Sequence, residues 1–210
     1  MPETRVLLAS NRRSTCEAAK VLAEGGVVAF PTDTVYGLGA HSQCEAAVER
    51  LYTLKGRSHQ KAIALLIGTA DDLAAVGRSI PEIAWRLALR YWPGPLTLVL
   101  FKAPKLLDVV TAGGPSVAVR VPAHPDALRL IADVGAPVAA TSANLSGRAE
   151  AATAEEVGVV FANQIPMILD GGRCQGGVPS TVVDVTVTPP LIRRRGARVD
   201  EVEAFLREVS

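Results

Sequence analysis

The polar segment 32–36 is the first part of the chain whose residue types could bind a ligand. Thr32, Asp33, Thr34 and Tyr36 supply hydroxyl groups and a carboxylate directly after an apolar run that predicts a strand. Open α/β sheets bind ligands at strand ends of this kind. An ordinary turn, in which threonine and aspartate bond to nearby backbone groups, accounts for the same residues equally well.

Lys55, Arg57 and Lys61 place three cations within seven residues. A polyphosphate ligand requires several Lys and Arg side chains that converge on it. Cations at the end of a helix also complement its dipole, and a helix ending at about Leu54 is predicted here. Taken alone, the segment favours this second, structural interpretation.

Arg120 is unusual because it lies inside the apolar run 117–121. An arginine in such a strand is either on an exposed face or is paired in a functional position. Strand alternation places Ala118, Arg120 and Pro122 on one face, so we expect Arg120 to face a cavity.

Two further segments carry polar groups that could bind a nucleotide. The segment TSANLSG at 141–147 follows a predicted strand, and its hydroxyl and amide groups could bind a phosphate or an adenine edge, or form only a turn. The arginines at 193–195 and 198 form the densest basic cluster, which could bind RNA or close over a nucleotide. The formal net charge of +1 argues against a protein whose whole surface binds nucleic acid but permits a local basic site.

The familiar nucleotide and hydrolase signatures are missing from the sequence. It contains no GxxxxGK[ST], HExxH or GxSxG, and its nearest approach to GxGxxG, at 37–42, lacks the third glycine. Cys16, Cys44 and Cys174 are odd in number and far apart, which fits neither a disulfide framework nor a zinc site. The N-terminal apolar run is too short for a signal peptide or a membrane span, so we expect a soluble, cytoplasmic protein that contacts no membrane.

Elements that would position these groups follow from the alternation of short apolar runs with amphipathic segments. We predict one α/β domain over residues 1–210 with a mixed sheet, because several connections are too short for a helical crossover. Ser42 and Glu45 predict a capping box at the start of the helix that ends at about Leu54. The other predicted helices are 17–24, one from about 82 to Trp92, 126–134, 154–161 and 200–209, and the predicted strands are 6–9, 27–30, 62–67, 96–100, 117–121, 137–140, 167–169 and 181–187.

Six ordered motifs over about residues 20–200 resemble the threonylcarbamoyl-AMP synthase family, also called YrdC-like. The motifs are FPTDTVYGLGA, KGR, YWPGPLTLVL, VAVRVPAHP, TSANLSG, and STVVDV followed by RRRGA. The resemblance implies a twisted mixed parallel and antiparallel sheet, flanked by helices, around a large concave and positively charged cavity.

The resemblance also implies a reaction. A nucleotidyltransferase of this family joins L-threonine, bicarbonate and ATP, with Mg²⁺, into threonylcarbamoyl-AMP and pyrophosphate, for threonylcarbamoyladenosine modification of tRNA. The chain ends too early for the additional C-terminal domain of some members, so we expect a short form that relies on separate threonylcarbamoyl-transferase proteins. Partners are therefore ATP, L-threonine, bicarbonate, those proteins and, in addition, tRNA or another RNA.

The motifs assign roles to individual residues by similarity. Lys55 and Arg57 are the expected catalytic residues, and the resemblance gives no metal-binding side chain. The threonine-binding residues implied are Thr34, Arg120 and Ser180, and the ATP-binding residues implied are Arg57, Lys61, Ser116, Ser142, Asn144 and Arg194.

Glu150 and Arg195 depart from the family pattern. Glu150 stands where the family usually has a nucleotide-side serine, and a carboxylate repels phosphate. Arg195 follows Arg194 where a proline or a polar residue is usual, which leaves the register within the triple arginine open.

Two other readings remain at this stage. A noncatalytic RNA-binding protein would use the same basic cavity, although the low net charge and the scarcity of aromatic residues argue against it. A carbamoyl-adenylate-forming domain of hydrogenase maturation proteins shares the implied fold, but zinc-finger-like and acylphosphatase segments normally accompany it.

Overall fold

A computed structural model describes residues 3–209, apart from the side chain of Val209. The helices within this range alternate with strands, as the apolar pattern predicts. None of them is long and apolar enough to cross a membrane. They are α1 (Arg12–Ala23), α2 (Glu45–Lys55), α3 (Leu73–Val76), α4 (Glu82–Tyr91), α5 (Asp108–Thr111), α6 (Pro125–Val134), α7 (Ala154–Phe161) and α8 (Val199–Val209), with a single 3-10 turn at Ala70–Asp72.

The strands of the described residues join into one mixed sheet flanked by helices, which confirms the predicted architecture. The strands are β1 (Arg5–Leu8), β2 (Val28–Phe30), β3 (Gly37–His41), β4 (Ala64–Leu66), β5 (Leu96–Phe101), β6 (Ser116–Arg120), β7 (Val138–Ser142), β8 (Met167–Asp170), β9 (Thr181–Asp184) and β10 (Leu191–Arg194). Their order in the sheet is β1-β8-β2-β3-β7-β4-β6-β5-β9-β10. The sheet contains both parallel pairs, such as β1 with β8 and β4 with β6, and antiparallel pairs, such as β2 with β3 and β5 with β6.

Strand β3 was not among the predicted strands, because glycine is depleted in strands and two glycines occupy it. The aromatic ring of Phe30 on β2 covers these positions. A Cβ at Gly39 would lie 2.6 Å from that ring and 2.9 Å from Val138. The glycines therefore make room for the Phe30 side chain within the sheet.

The predicted capping box at Ser42 and Glu45 is wrong. Helix α2 begins at Glu45 with Cys44 at the N-cap, and no side chain caps it. Ser42 lies two residues too early, in a turn after β3, and its buried hydroxyl has no hydrogen-bond partner within residues 3–209. Helix α1, by contrast, starts earlier than predicted because the Asn11 side chain accepts a bond from the Arg13 amide at 3.0 Å.

Alternating strand residues form two apolar clusters, one on each face of the sheet. Ala29, Leu38 and Leu65 belong to the first, and Val28 and Leu66 belong to the second. This alternation fixes which face of each strand is available to a ligand.

Candidate functional site

A cavity of about 270 Å³ lies on the sheet face that carries Leu66 and Ala140. Its floor consists of small side chains on adjacent strands, since Ala64 on β4 is the register partner of Ala140 on β7. Ala118 on β6 extends this floor. The alanines leave free the volume that larger side chains would fill.

The residues that line the cavity come from strands β3, β4, β5, β6, β7, β9 and β10, which are neighbours in the sheet, and from the segments that connect the strands and helices. Those used below are Thr32, Thr34, Arg57, Thr97, Arg120, Ser142, Glu150, Ser180 and Arg194. Ligand pockets commonly measure about 300–1,000 Å³, so the large, positively charged cavity implied by the resemblance stays a prediction.

Arg120 faces the cavity, as strand alternation predicts, and it is buried. Its Nη1 donates to the Thr34 hydroxyl at 3.0 Å and its Nε donates to the Gly94 carbonyl at 2.9 Å. Its Nη2 pairs with the carboxylate of Asp33, which also accepts from the Ala123 amide at 3.0 Å. Three of the five N–H donors of the guanidinium are therefore used, and two are left for a ligand.

Thr34 is held in place by a second threonine. The hydroxyl groups of Thr32 and Thr34 lie 3.0 Å apart, and Thr32 donates to the Val35 carbonyl at 2.7 Å. Both side chains are buried, so the segment after β2 is an ordered wall of the cavity.

Ser180 connects two strands with the arginine segment. Its hydroxyl lies 2.7 Å from that of Thr97 on β5, a cavity residue that sequence reasoning missed. Arg194 donates to the Ser180 hydroxyl and to the Ser180 carbonyl, both at 3.0 Å. Alternation along β5 could have found Thr97, since it is a hydroxyl inside an apolar run.

Of the three consecutive arginines, Arg194 lines the cavity, whereas Arg193 and Arg195 are not among the lining residues. Gly196 fixes this placement, because a Cβ there would collide with the backbone of Pro179 and Ser180. Arg194 is exposed overall, but partial desolvation of its guanidinium lowers its pKa, with repulsion from Arg120 adding to this effect and the charge of Glu150 opposing it.

The other arginines of the cluster pair with carboxylates. Arg193 donates to Asp184 at 2.8 Å, Arg195 pairs with Glu203, and Arg198 pairs with Glu201 at 2.5 Å. The densest basic run of the sequence therefore presents one arginine to the cavity and neutralises the other three.

Lys55 is buried rather than exposed at the end of a helix. Its ammonium group donates to the Ser142 carbonyl at 2.5 Å, and to the carbonyl and side-chain oxygen of Asn144 at 2.8 Å each. Desolvation, and then repulsion from Arg57, lower the pKa of Lys55 to about 8, while the charge of Glu150 opposes this shift. Lys55 thus organises the segment after β7, in which Ser142 donates to the Asn144 side chain at 2.7 Å.

Arg57 lines the cavity, and within the described part of the chain its guanidinium bonds only to backbone oxygens. It donates to the Lys61 carbonyl at 3.0 Å and to the Ala62 carbonyl at 2.7 Å. Lys61 itself is exposed and is not one of the lining residues, and neither is Ser116 at the start of β6. Lys55 and Asn144 are not lining residues either. All the catalytic, ATP-binding and threonine-binding roles that the resemblance implies stay predictions.

Glu150 brings a carboxylate to the wall that carries Arg57 and Arg194. It interacts electrostatically with Lys55 and Arg194, but within residues 3–209 it forms no ion pair or hydrogen bond. No three His, Cys, Asp or Glu side chains in this range are close enough to form a metal site by themselves. A metal ion here would need most of its ligands from a bound molecule.

Known proteins show the same arrangement of the chain. The Sua5–YciO–YrdC family model, described as telomere recombination, matches residues 20–196. The threonylcarbamoyl-AMP synthase of Pyrococcus abyssi is 45% identical over 193 residues, which is 91% of this chain and 57% of that protein. The threonylcarbamoyl-AMP synthase of Bacillus subtilis is 42% identical over 201 residues, which is 95% of this chain and 58% of that protein.

A solved structure agrees with these matches. The crystal structure of P. abyssi Sua5 complexed with L-threonine superposes with a TM-score of 0.93 at 42% identity, covering 96% of this chain and 60% of that one. The chain spans somewhat more than half the length of these relatives. With the family model covering most of its residues, the chain belongs to the Sua5–YciO–YrdC family.

Proposed function

We propose that this protein is an L-threonylcarbamoyladenylate synthase, which forms threonylcarbamoyl-AMP and pyrophosphate from L-threonine, bicarbonate and ATP. The observation that carries the proposal is the cavity itself. Among residues 3–209, Arg57 and Arg194 face the cavity without a carboxylate ion pair, and the neighbouring Arg120 has two N–H donors that no described residue uses. The names of the relatives and the threonine complex of the Pyrococcus protein support the same reading.

The threonine end of the cavity is assigned to Arg120, Thr34 and Ser180. A guanidinium with two remaining N–H donors can donate to both oxygens of an amino-acid carboxylate, which gives a bidentate pair. The neighbouring hydroxyl groups of Thr34 and Ser180 can bond to the polar groups of the same ligand.

The reaction balances without a protein nucleophile. The threonine amine, once it has lost a proton to solvent, combines with bicarbonate to give a carbamate and water. A carbamate oxygen then forms a bond to the α-phosphorus, and the bond to the bridging oxygen breaks. Pyrophosphate leaves with that electron pair. Such a transfer depends on positioning and on neutralisation of phosphate charge, which Arg57 and Arg194 can provide.

Mg²⁺ fits the residues present, provided that ATP brings most of its ligands. The ion prefers oxygen ligands and is usually held by one or two carboxylates together with substrate phosphates. Glu150 would be the carboxylate that holds it, and the ion would neutralise charge on the phosphates. The product would pass to separate transferase proteins that act on tRNA, in the cytoplasm.

The decisive experiment follows pyrophosphate and adenylate together. Purified protein is incubated with ATP, Mg²⁺, bicarbonate and candidate amino acids, and the adenylate is identified by mass spectrometry. Pyrophosphate release should require both L-threonine and bicarbonate, because their carbamate is the nucleophile. Equal release in water alone would identify a simple ATP pyrophosphatase. RNA binding that depends on salt, without ATP turnover, would identify a noncatalytic RNA-binding protein instead.

A further inference from the structure

Glu150 is the feature of the cavity whose charge opposes the binding of phosphate. A triphosphate is strongly anionic, and the wall that would receive it also carries this carboxylate. The charge lies near enough to Lys55 and Arg194 to oppose the lowering of their pKa values by burial. It therefore reduces the positive potential that the same wall offers to phosphate.

The backbone on both sides of Glu150 is anchored by hydrogen bonds. The Asn144 side chain donates to the Arg148 carbonyl at 2.6 Å. The Tyr36 amide donates to the Ala151 carbonyl at 2.9 Å, and the Cys174 amide donates to the Ala152 carbonyl at 2.8 Å. Hydrogen bonds thus hold the chain on both sides of Glu150.

The side chain itself is available to a ligand. It is half-buried, lines the cavity and has no hydrogen bond or ion pair within the described range 3–209. The nearby arginines already bond to carbonyl and hydroxyl oxygens, as Arg57 does to Ala62 and Arg194 does to Ser180. A carboxylate in this position has its lone pairs free to bind a cation.

We propose that Glu150 makes nucleotide binding by this chain depend on Mg²⁺, by repelling free ATP and by binding the ion that accompanies the phosphates. The inference rests on the proposed function, because it requires ATP in the cavity. Arginines alone would favour the more negative, metal-free nucleotide. Glu150 reverses that preference, since an ion between its carboxylate and the phosphates turns a repulsion into two attractions.

The test measures the affinity for an ATP analogue that has a methylene bridge between the α- and β-phosphates. Calorimetric titrations with Mg²⁺ and with EDTA are compared for the wild type and for Glu150→Gln. We expect the gain in affinity on adding Mg²⁺ to be at least about fivefold larger in the wild type, a coupling of ordinary size between two ligands. The difference should come partly from tighter metal-free binding by the variant.

A second measurement separates ligation from repulsion. Mn²⁺ replaces Mg²⁺, and its affinity for the protein–analogue complex is followed by electron paramagnetic resonance. Glu150→Gln should bind Mn²⁺ more weakly in that complex. Glu150→Asp keeps the charge but shortens the side chain, so it should keep the weak metal-free binding of the wild type. Glu24→Gln, at an exposed position with no ion pair among the described residues, controls for the change in net charge.

The outcomes are distinguishable. Equal Mg²⁺ effects and equal Mn²⁺ affinities in the wild type and Glu150→Gln would overturn the inference and leave the proposed function standing. A wild type that binds the analogue neither with Mg²⁺ nor with EDTA would overturn the proposed function, and the inference with it. An effect of Glu24→Gln as large as that of Glu150→Gln would reduce the result to net charge and also overturn the inference.

Discussion

Arg193 and Arg195 carry the same charge as the cavity residues Arg57 and Arg194, but they bond to different kinds of oxygen. Arg193 pairs with Asp184, and Arg195 pairs with Glu203. Arg57 and Arg194 donate instead to carbonyl and hydroxyl oxygens, which accept their hydrogen bonds but leave the positive charge of each guanidinium uncompensated. The density of basic residues along the sequence is therefore a poor guide to where an anion binds, and the nature of each partner is a better one.

Replacement of Arg120 should have the largest effect, on both stability and ligand binding. Arg120 faces the cavity but also pairs with Asp33, so Arg120→Ala leaves a nearly buried carboxylate without its partner. We expect the free energy of unfolding to fall by about 3 kcal/mol, a usual cost of breaking such a pair. L-threonine binding should be lost as well. Chemical denaturation and calorimetric titration measure the two effects.

A second substitution separates the two effects of Arg120. Adding Asp33→Asn to Arg120→Ala removes the unpaired charge, so stability should partly recover while threonine binding should not. Arg120→Lys should also bind threonine poorly, because an ammonium group does not reproduce a bidentate fork. Normal threonine affinity in these variants would show that Arg120 is only a structural residue.

Replacement of Arg57 or Arg194 should weaken nucleotide binding. Arg57→Ala and Arg194→Ala each remove a charged donor, which is worth about 1.5–3 kcal/mol when it bonds to phosphate. Arg193→Ala is the matched control at the adjacent position, where Asp184 already neutralises the charge. Titration with the methylene-bridged ATP analogue measures all three variants. Equal losses at Arg193 and Arg194 would abolish the distinction between the two groups of arginines.

Deprotonation of Lys55 should have a smaller effect, which appears as a pH dependence of nucleotide affinity. The pKa of Lys55, which is about 8, means that the ammonium group loses its proton in the folded protein at a lower pH than in the unfolded chain. Analogue affinity should therefore fall by about 1 kcal/mol as the pH rises through 8, because a positive charge beside the cavity is lost. Lys55→Arg should move this decrease to a higher pH, and its absence in the wild type would contradict the assignment.

The same lowered pKa should make the contribution of Lys55 to stability rise with pH, whereas the affinity for the nucleotide should fall. Between about pH 8 and the usual value of 10.5, the unfolded chain binds the proton of Lys55 more tightly than the folded protein does. The contribution of Lys55 to the free energy of unfolding should therefore rise over this interval. Denaturation of the wild type and Lys55→Met across the interval would show whether their difference changes in that direction.

The smallest effect is expected at Arg195. Its guanidinium is exposed and pairs with Glu203 and Asp200, so Arg195→Ala should leave nucleotide affinity and pyrophosphate release unchanged. A filter-binding assay with tRNA at two salt concentrations extends the comparison. A large loss of RNA affinity in this variant would show that the outward-facing arginines bind nucleic acid despite their carboxylate partners.

Sequence reasoning found the parts of the fold that local chemistry specifies. Apolar runs located β5, β6 and β8 to within a residue or two at either end, and a proline before an acidic residue located the start of α4. It missed β3, whose glycines are explained by the side chains of Phe30 and Val138 on the neighbouring strands β2 and β7. It also missed β10, because exposed arginines in an edge strand show no apolar alternation.

The face on which a site residue lies could be predicted from strand alternation, but its partners from distant parts of the chain could not. Alternation placed Arg120 on the cavity face, whereas its pairing with Asp33 joins residues 87 positions apart. Lys55 looked like a cation at the end of a helix, since its burial depends on carbonyl groups supplied by the segment after β7. These contacts depend on tertiary structure and have no local signature.

Gly196 limits how this sequence can diverge. Arg195 can exchange with other residues at little cost to the cavity, because its guanidinium is exposed and pairs outside the cavity with Glu203 and Asp200. Any side chain at position 196 would instead push the strand away from Pro179 and Ser180, and Arg194 would move with it. In a library of random variants, tolerance should therefore be high at 195 and very low at 196, so that the residue without a side chain is the more restricted of these two neighbours.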